Sequence, residues 1–134
     1  MIVVDASVVA PALADDDRDG DRARARLHGE HIVAPEVIDV EVLSVIRKGL
    51  SAGVLDERRA AMAIADLGRF PIDRVTHSAL LSRAWELRSN VTAYDAMYVA
   101  LAESLDVTLV TSDEPLSRAP SFRCEVEYLG RTER

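Results

Sequence analysis

At 134 residues the chain suits a single domain, residues 1–134, that buries roughly two-thirds of the surface its unfolded form exposes. It is 49% hydrophobic and 29% charged, which excludes collagen-like, low-complexity and wholly disordered classes, and no apolar run approaches the ~20 residues that span a bilayer. The net charge of −7 has the wrong sign for a protein that holds nucleic acid in a broadly basic groove. Lys48 is the only lysine among sixteen cations. The arginines carry forks that match phosphate, although the codon usage of a GC-rich genome produces the same bias. The opening MIVVDASVVAPALADDD is interrupted by Asp5 and has no basic flank, so it does not read as a secretory signal. One cysteine, Cys124, makes no internal disulfide and agrees with a reducing compartment, so a cytoplasmic location is the expectation.

In chain order, the β-branched run Ile2 to Val4 reads as a buried strand entering a turn at Asp5, Ala6 and Ser7. Val8 to Leu13 reads as a short helix, Asp15 to Gly20 as a polar connection, and Asp21 to Leu27 as a charged helix. His31 to Ala34 is a second strand, and Pro35 introduces a helix from about Val37 whose apolar face is Ile38, Val42, Val45 and Ile46, with Glu41 along its edge. Gly49 and Gly53 loosen its end. Asp56 caps the next helix, with Ala61, Ile64, Ala65 and Leu67 expected inward. Ile72 to Val75 is a strand, and Thr76 caps a helix through about Leu87 with Leu80, Leu81, Ala84 and Trp85 as its stripe; Trp85 and the Leu80/Leu81 face read as core or as dimer surface, and periodicity favours core.

Thr92-Ala-Tyr-Asp95 has the Ser/Thr-x-x-acid form of a helix start, followed by Ala96, Met97, Ala100, Leu101 and Leu105 at helical spacing. Val107 to Val110 is an apolar strand that stops at Thr111-Ser112-Asp113, before a proline-containing loop and a last strand near Arg123 to Tyr128. Short apolar strands alternating with helices predict an α/β fold on a mainly parallel sheet.

In such a sheet ligands gather outside the carboxyl ends of the strands. Asp5 and Asp113 follow strands directly, and Asp95 at a helix start and Glu41 on an inward face can reach the same crevice. Each also has a plain structural reading as a turn, cap or rim residue. Crowded carboxylates need protons or a cation. Oxygen-only donors select hard ions such as Mg²⁺ or Mn²⁺, and such an ion acidifies bound water and neutralises phosphate oxygens, which suits phosphodiester hydrolysis. Four carboxylates accommodate one ion, or two at ~3.5–4 Å.

Over essentially its whole length the sequence resembles the PIN-domain ribonucleases, and most closely the VapC-type toxins of bacterial type II toxin–antitoxin pairs. The stretches that carry the resemblance are MIVVDASVV, PEVIDVEVLSVIRKG and TAYDAMYVALAESLDVTLVTSDEPL. It implies a three-layer α/β/α domain and a Mg²⁺-dependent endoribonuclease, with Asp5, Glu41, Asp95 and Asp113 as its acids and Asp5 and Asp95 touching the metal. Ser7, Thr111 and Ser112 fall in the same motifs, where they orient carboxylates or waters, or simply make turns and caps. The resemblance further implies a homodimer and a cognate VapB-type antitoxin whose C-terminal segment occupies the groove, often with an arginine reaching the acids.

Rival readings are a receiver-like phosphoryl-accepting domain, which expects a lysine after a late strand rather than at Lys48, and a non-catalytic module whose acids bind a basic peptide. A dehalogenase-type phosphatase expects Asp where this chain has Ser7. His28 and His31 lack an acid partner motif, Asp15 to Asp17 reads as a solvated run, and six scattered aromatics make no base-stacking platform. Arg22, Arg24 and Arg26 read as a solvent-facing side or as RNA phosphate contacts.

Overall fold

The computed structural model of the protein describes residues 1–130; the last four residues of the expected domain lie outside the described part. Its strands are short apolar runs: β1 (Ile2–Val4), β2 (Ile32–Pro35), β3 (Ile72–Val75), β4 (Leu109–Thr111) and β5 (Val126–Tyr128). All neighbouring pairs run parallel, in the order β3-β2-β1-β4-β5. Between them lie α1 (Ala6–Ala14), α2 (Arg18–Leu27), α3 (Val37–Ser51), α4 (Glu57–Arg69), a 3₁₀ turn (Ser78–Leu80), α5 (Leu81–Glu86), α6 (Ala93–Leu105) and α7 (Glu114–Arg118). α1 packs on α2, α3 and α4, whereas α5 packs on α6. This partition follows from chirality. Right-handed crossovers from β1 to β2 to β3 and from β3 back to β4 travel in opposite directions across the sheet and so put their helices on opposite faces, which yields three layers.

β1, β2 and β4 are buried along their whole length, as central parallel strands must be. β1 is where strand order reverses, since the chain moves from β1 to β2 to β3 and then returns to the other side of β1. The reversal opens a crevice at the carboxyl ends of β1 and β4. Asp5 and Ser112 are the residues that leave those ends.

Three helical faces differ from expectation. In α3 the buried stripe is Ile38, Val42 and Ile46, and Val45 is 46% exposed. In α4 the buried residues are Ala60, Ala63 and Leu67, while Ala61, Ile64 and Ala65 face solvent. The alanines at 60, 61, 63 and 65 offer two stripes of similar apolarity, and the one chosen puts Cβ atoms against α1 and α3. The helix expected from Thr76 begins instead as a 3₁₀ turn after His77. Leu80, Ala84 and Leu87 turn inward there, which swings Leu81 and Trp85 outward at 54% and 68% exposure. Trp85 is therefore not core; the Arg88 guanidinium lies 4.6 Å from its ring centroid. The turn expected at Asp5 to Ser7 is the first turn of α1, and the loop after Asp113 holds the short α7.

Candidate active site

Asp5 leaves β1 with extended backbone and caps α1, its carboxylate accepting from the Ser7 amide at 3.1 Å. Because Val4 pairs with Val110 across the β1–β4 ladder, Thr111 comes to lie beside Asp5. The Thr111 hydroxyl donates to Asp5 Oδ2 at 2.6 Å, and the Ser7 hydroxyl donates to Asp5 Oδ1. Each hydroxyl also accepts from the chain leaving β4: Ser7 Oγ from the Ser112 amide at 2.8 Å, and Thr111 Oγ1 from the Asp113 amide at 3.0 Å. Ser7 and Thr111 thus tie the ends of β1 and β4 together and aim the Asp5 carboxylate. Ser112 contributes through its backbone.

Asp113 caps α7, accepting from the Leu116 amide at 3.0 Å. Asp95 stands in the first turn of α6, where its amide donates to Thr92 Oγ1 at 3.2 Å. So Asp5, Asp95 and Asp113 all occupy helix N-termini. Unpaired amides carry partial positive charge at these positions, and a carboxylate is favoured there. Glu41 projects from α3 and accepts from the Tyr98 hydroxyl at 2.8 Å. Tyr98 is fully buried, one turn after Asp95 on α6. α6 therefore supplies one acid and the donor that holds another. A tyrosine inside an apolar stripe carries no mark of such a role in the sequence, which is why Tyr98 was not among the expected residues.

The four acids share one cavity of about 590 Å³, together with Ser7 and Ser112. Burial pushes the Asp5 carboxyl up to about 6; the Ser7 and Thr111 hydrogen bonds oppose that rise, and Asp95 and Asp113 add to it. Asp95 is raised by burial and then by Asp113, against the pull of Thr92. Glu41 is raised by burial, with the Tyr98 hydrogen bond opposing and Asp95 reinforcing. Burial and the neighbouring Glu41 hold the Tyr98 phenol above its ordinary value, so it stays protonated as a donor. These acids feel one another, and their negative charge is unfavourable without a counter-ion. Among the described residues no three Asp, Glu, His or Cys side chains form a ready-made ion cage. An all-oxygen donor set in which one or two carboxylates bind directly and water completes the shell still fits Mg²⁺.

Lys48, seven residues after Glu41 on α3, lines the same cavity, as do Asp19 and Tyr94. The discounted signals resolve into structure. Arg26 bonds Glu127 at 2.6 Å and Glu30 at 2.8 Å, and Arg24 bonds Asp21 and two backbone carbonyls. His31 pairs with Asp73, and Asp16 pairs with Arg59 at 3.0 Å.

A PIN-domain family model matches residues 2–121. The chain is 39% identical over 128 residues to ribonuclease VapC1 of Mycobacterium tuberculosis, covering 95% of this chain and 96% of that protein. It is 36% identical over 131 residues to ribonuclease VapC9 of the same species, covering 98% and 100%. Among solved structures, M. tuberculosis VapC20, described as a sarcin-ricin loop cleaving toxin, superposes with a TM-score of 0.69 at 16% identity, over 87% of this chain and 93% of that one. VapBC2 from Rickettsia felis, solved with a promoter DNA fragment, gives 0.68 at 16% identity, over 96% and 98%. At that identity the structures speak for the fold, whereas the sequence relatives speak for descent. With its all-parallel sheet, its acids gathered at the strand reversal and this kinship along nearly the whole chain, the protein belongs to the PIN-domain family, among the VapC ribonucleases.

Proposed function

We propose that the chain is a Mg²⁺-dependent endoribonuclease and the toxin of a type II toxin–antitoxin pair. The observation that carries this reading is the convergence of Asp5, Glu41, Asp95 and Asp113 on one cavity at the carboxyl ends of β1 and β4. Asp5 and Asp95 would hold the ion, with Mn²⁺ as a substitute. Bound there, it supplies neutralisation of the phosphate oxygens and acidification of water. Ser7 and Thr111 keep the Asp5 oxygens aimed. Glu41 has one oxygen engaged by Tyr98, and its other oxygen accepts the proton that water releases as it attacks phosphorus. The raised Glu41 carboxyl is a better base than an ordinary carboxylate. The leaving sugar oxygen takes a proton from solvent. Asp113 adds negative charge that strengthens cation binding.

The partner is a VapB-type antitoxin, supported by the complex that VapBC2 forms and by an acidic cavity that suits a basic segment. A homodimer is supported by the outward Leu81 and Trp85. No described helix is long and apolar enough to cross a membrane, and we place the protein in the cytoplasm. A receiver-like reading is not favoured, because Lys48 reaches the cavity from α3 rather than from a late strand end. The test is cleavage of total cellular RNA by purified protein with Mg²⁺, with EDTA, and with Asp5→Ala or Asp95→Ala. Loss of cleavage in the last three arms is expected. Cleavage surviving both substitutions overturns the site, and specific capture of a basic peptide without any cleavage favours the interaction module.

A further inference from the structure

We infer that Lys48 is a substrate-positioning residue, binding a phosphate of the RNA strand beside the one that is cut. The inference rests on the ribonuclease reading and extends it to how an acidic protein holds a polyanion. Five carboxylates line the cavity, and Lys48 is the sole cation among its described lining residues. Lys48 is exposed and pairs with no carboxylate among the described residues. Its charge is therefore not consumed by the fold, in contrast to Arg26, Arg59, Arg74 and Arg83, which all form ion pairs.

Helix geometry supplies the placement. Glu41, Ser44 and Lys48 follow one another at three and four residues and line one wall. Lys48 thus stands two turns, about 10 Å, along the axis from Glu41. A four-carbon stem with a compact ammonium can meet a phosphate from there without fixed geometry. The Ser44 hydroxyl lies between the two and offers a neutral donor along the same path. A strand laid along α3 would present the scissile phosphate to the acids and a flanking phosphate to Lys48. That contact recovers part of the repulsion that a net charge of −7 imposes on RNA.

The experiment is fluorescence anisotropy of a short labelled single-stranded oligoribonucleotide of mixed sequence. It is titrated with Asp95→Asn protein, with and without Lys48→Ala, across a salt series; steady-state cleavage is followed in parallel in the Asp95-containing protein. Lys48→Ala is expected to weaken binding roughly three- to tenfold regardless of sequence and to lower the slope of log affinity against log salt by ~0.7, the value for one phosphate on a single strand. KM should rise while kcat holds, and Lys48→Arg should restore most of the loss. Mg²⁺ affinity, read as the metal-induced rise in melting temperature, should not weaken. An unchanged salt slope and KM in a protein that cleaves RNA overturns the assignment of Lys48 alone. A stronger Mg²⁺ response in Lys48→Ala with RNA affinity intact also overturns it, making Lys48 a neutraliser of the acids. Failure of both proteins to bind or cleave RNA overturns this inference and the ribonuclease reading together.

Discussion

Asp5→Asn is the most informative single change, because burial of the Asp5 carboxyl sets the sign of its effect and the raised carboxyl an approximate size. The carboxyl of Asp5 is only 5% exposed and is pushed from an ordinary 3.8 to about 6. Between those two values the native protein holds a proton that the unfolded chain has already released. Stability therefore falls as pH rises through this window and levels off above it. At about 1.36 kcal/mol per unit the ionised side chain costs the metal-free fold about 3 kcal/mol at neutral pH, of which about 2 appears between pH 4.5 and 7.5. Asparagine caps a helix as well as aspartate and can still accept from the Ser7 amide, so the substitution removes the charge while retaining the cap. Urea unfolding in EDTA should show Asp5→Asn gaining about 2 kcal/mol on the wild type between pH 4.5 and 7.5. Taking the difference between the two proteins cancels groups that titrate the other way, such as Asp16, Glu103 and Glu127. Saturating Mg²⁺ should then stabilise the wild type and leave Asp5→Asn nearly unmoved. A stability difference that stays flat across that range would refute the argument that Asp5 is a buried charge awaiting a cation.

Thr111→Val keeps the shape of the side chain but strips Asp5 Oδ2 and the Asp113 amide of their partner. It should cost about 1–3 kcal/mol by urea midpoint, with a larger loss at pH 7.5 than at pH 4.5, where the protonated Asp5 needs no donor. Tyr98→Phe removes the hydrogen bond that holds the Glu41 carboxyl down. The acid limb of the kcat/KM profile should therefore move to higher pH, at a stability cost of about 1 kcal/mol; an unmoved limb would deny Glu41 the proton. In protein dilute enough to be monomeric, Leu81→Ser with Trp85→Ser should shift unfolding by no more than about 0.5 kcal/mol for each exposed site, whereas a core tryptophan would lose about 3–5. If the proposed homodimer uses this face, sedimentation velocity at higher concentration should find the unsubstituted protein dimeric and the doubly substituted protein monomeric.

What could be read in advance divides along a physical line. Strands and helix starts are written locally: Ile2 to Val4, Thr92 to Asp95 and the apolar run Val107 to Val110, whose second half opens β4 (Leu109–Thr111), declare themselves within a few residues. Asp5, Asp95 and Asp113 sit at such boundaries, so their placement at one end of the sheet follows once the strands are parallel. The phase of a weakly amphipathic helix is not local. Four alanines within six residues of α4, and Leu80 beside Leu81 where the 3₁₀ turn meets α5, leave two faces of similar apolarity, and only packing against α1, α3 or α6 selects one.

Side chains that act across the cavity are less legible still. Ser7 and Thr111 could be marked from their motifs, but their bridging depends on the register that sets Val4 against Val110. Tyr98 looks like core because it is core; only its hydroxyl, directed at Glu41 from the other helical layer, makes it part of the site. Lys48 lies remote from every acid motif in sequence except the helix of Glu41, and two turns of that helix carry it to the cavity wall. Residues whose role follows from where an element begins can be named from one strand of text. Those whose role follows from which elements face each other cannot, and in this protein the substrate-facing wall belongs to the second kind.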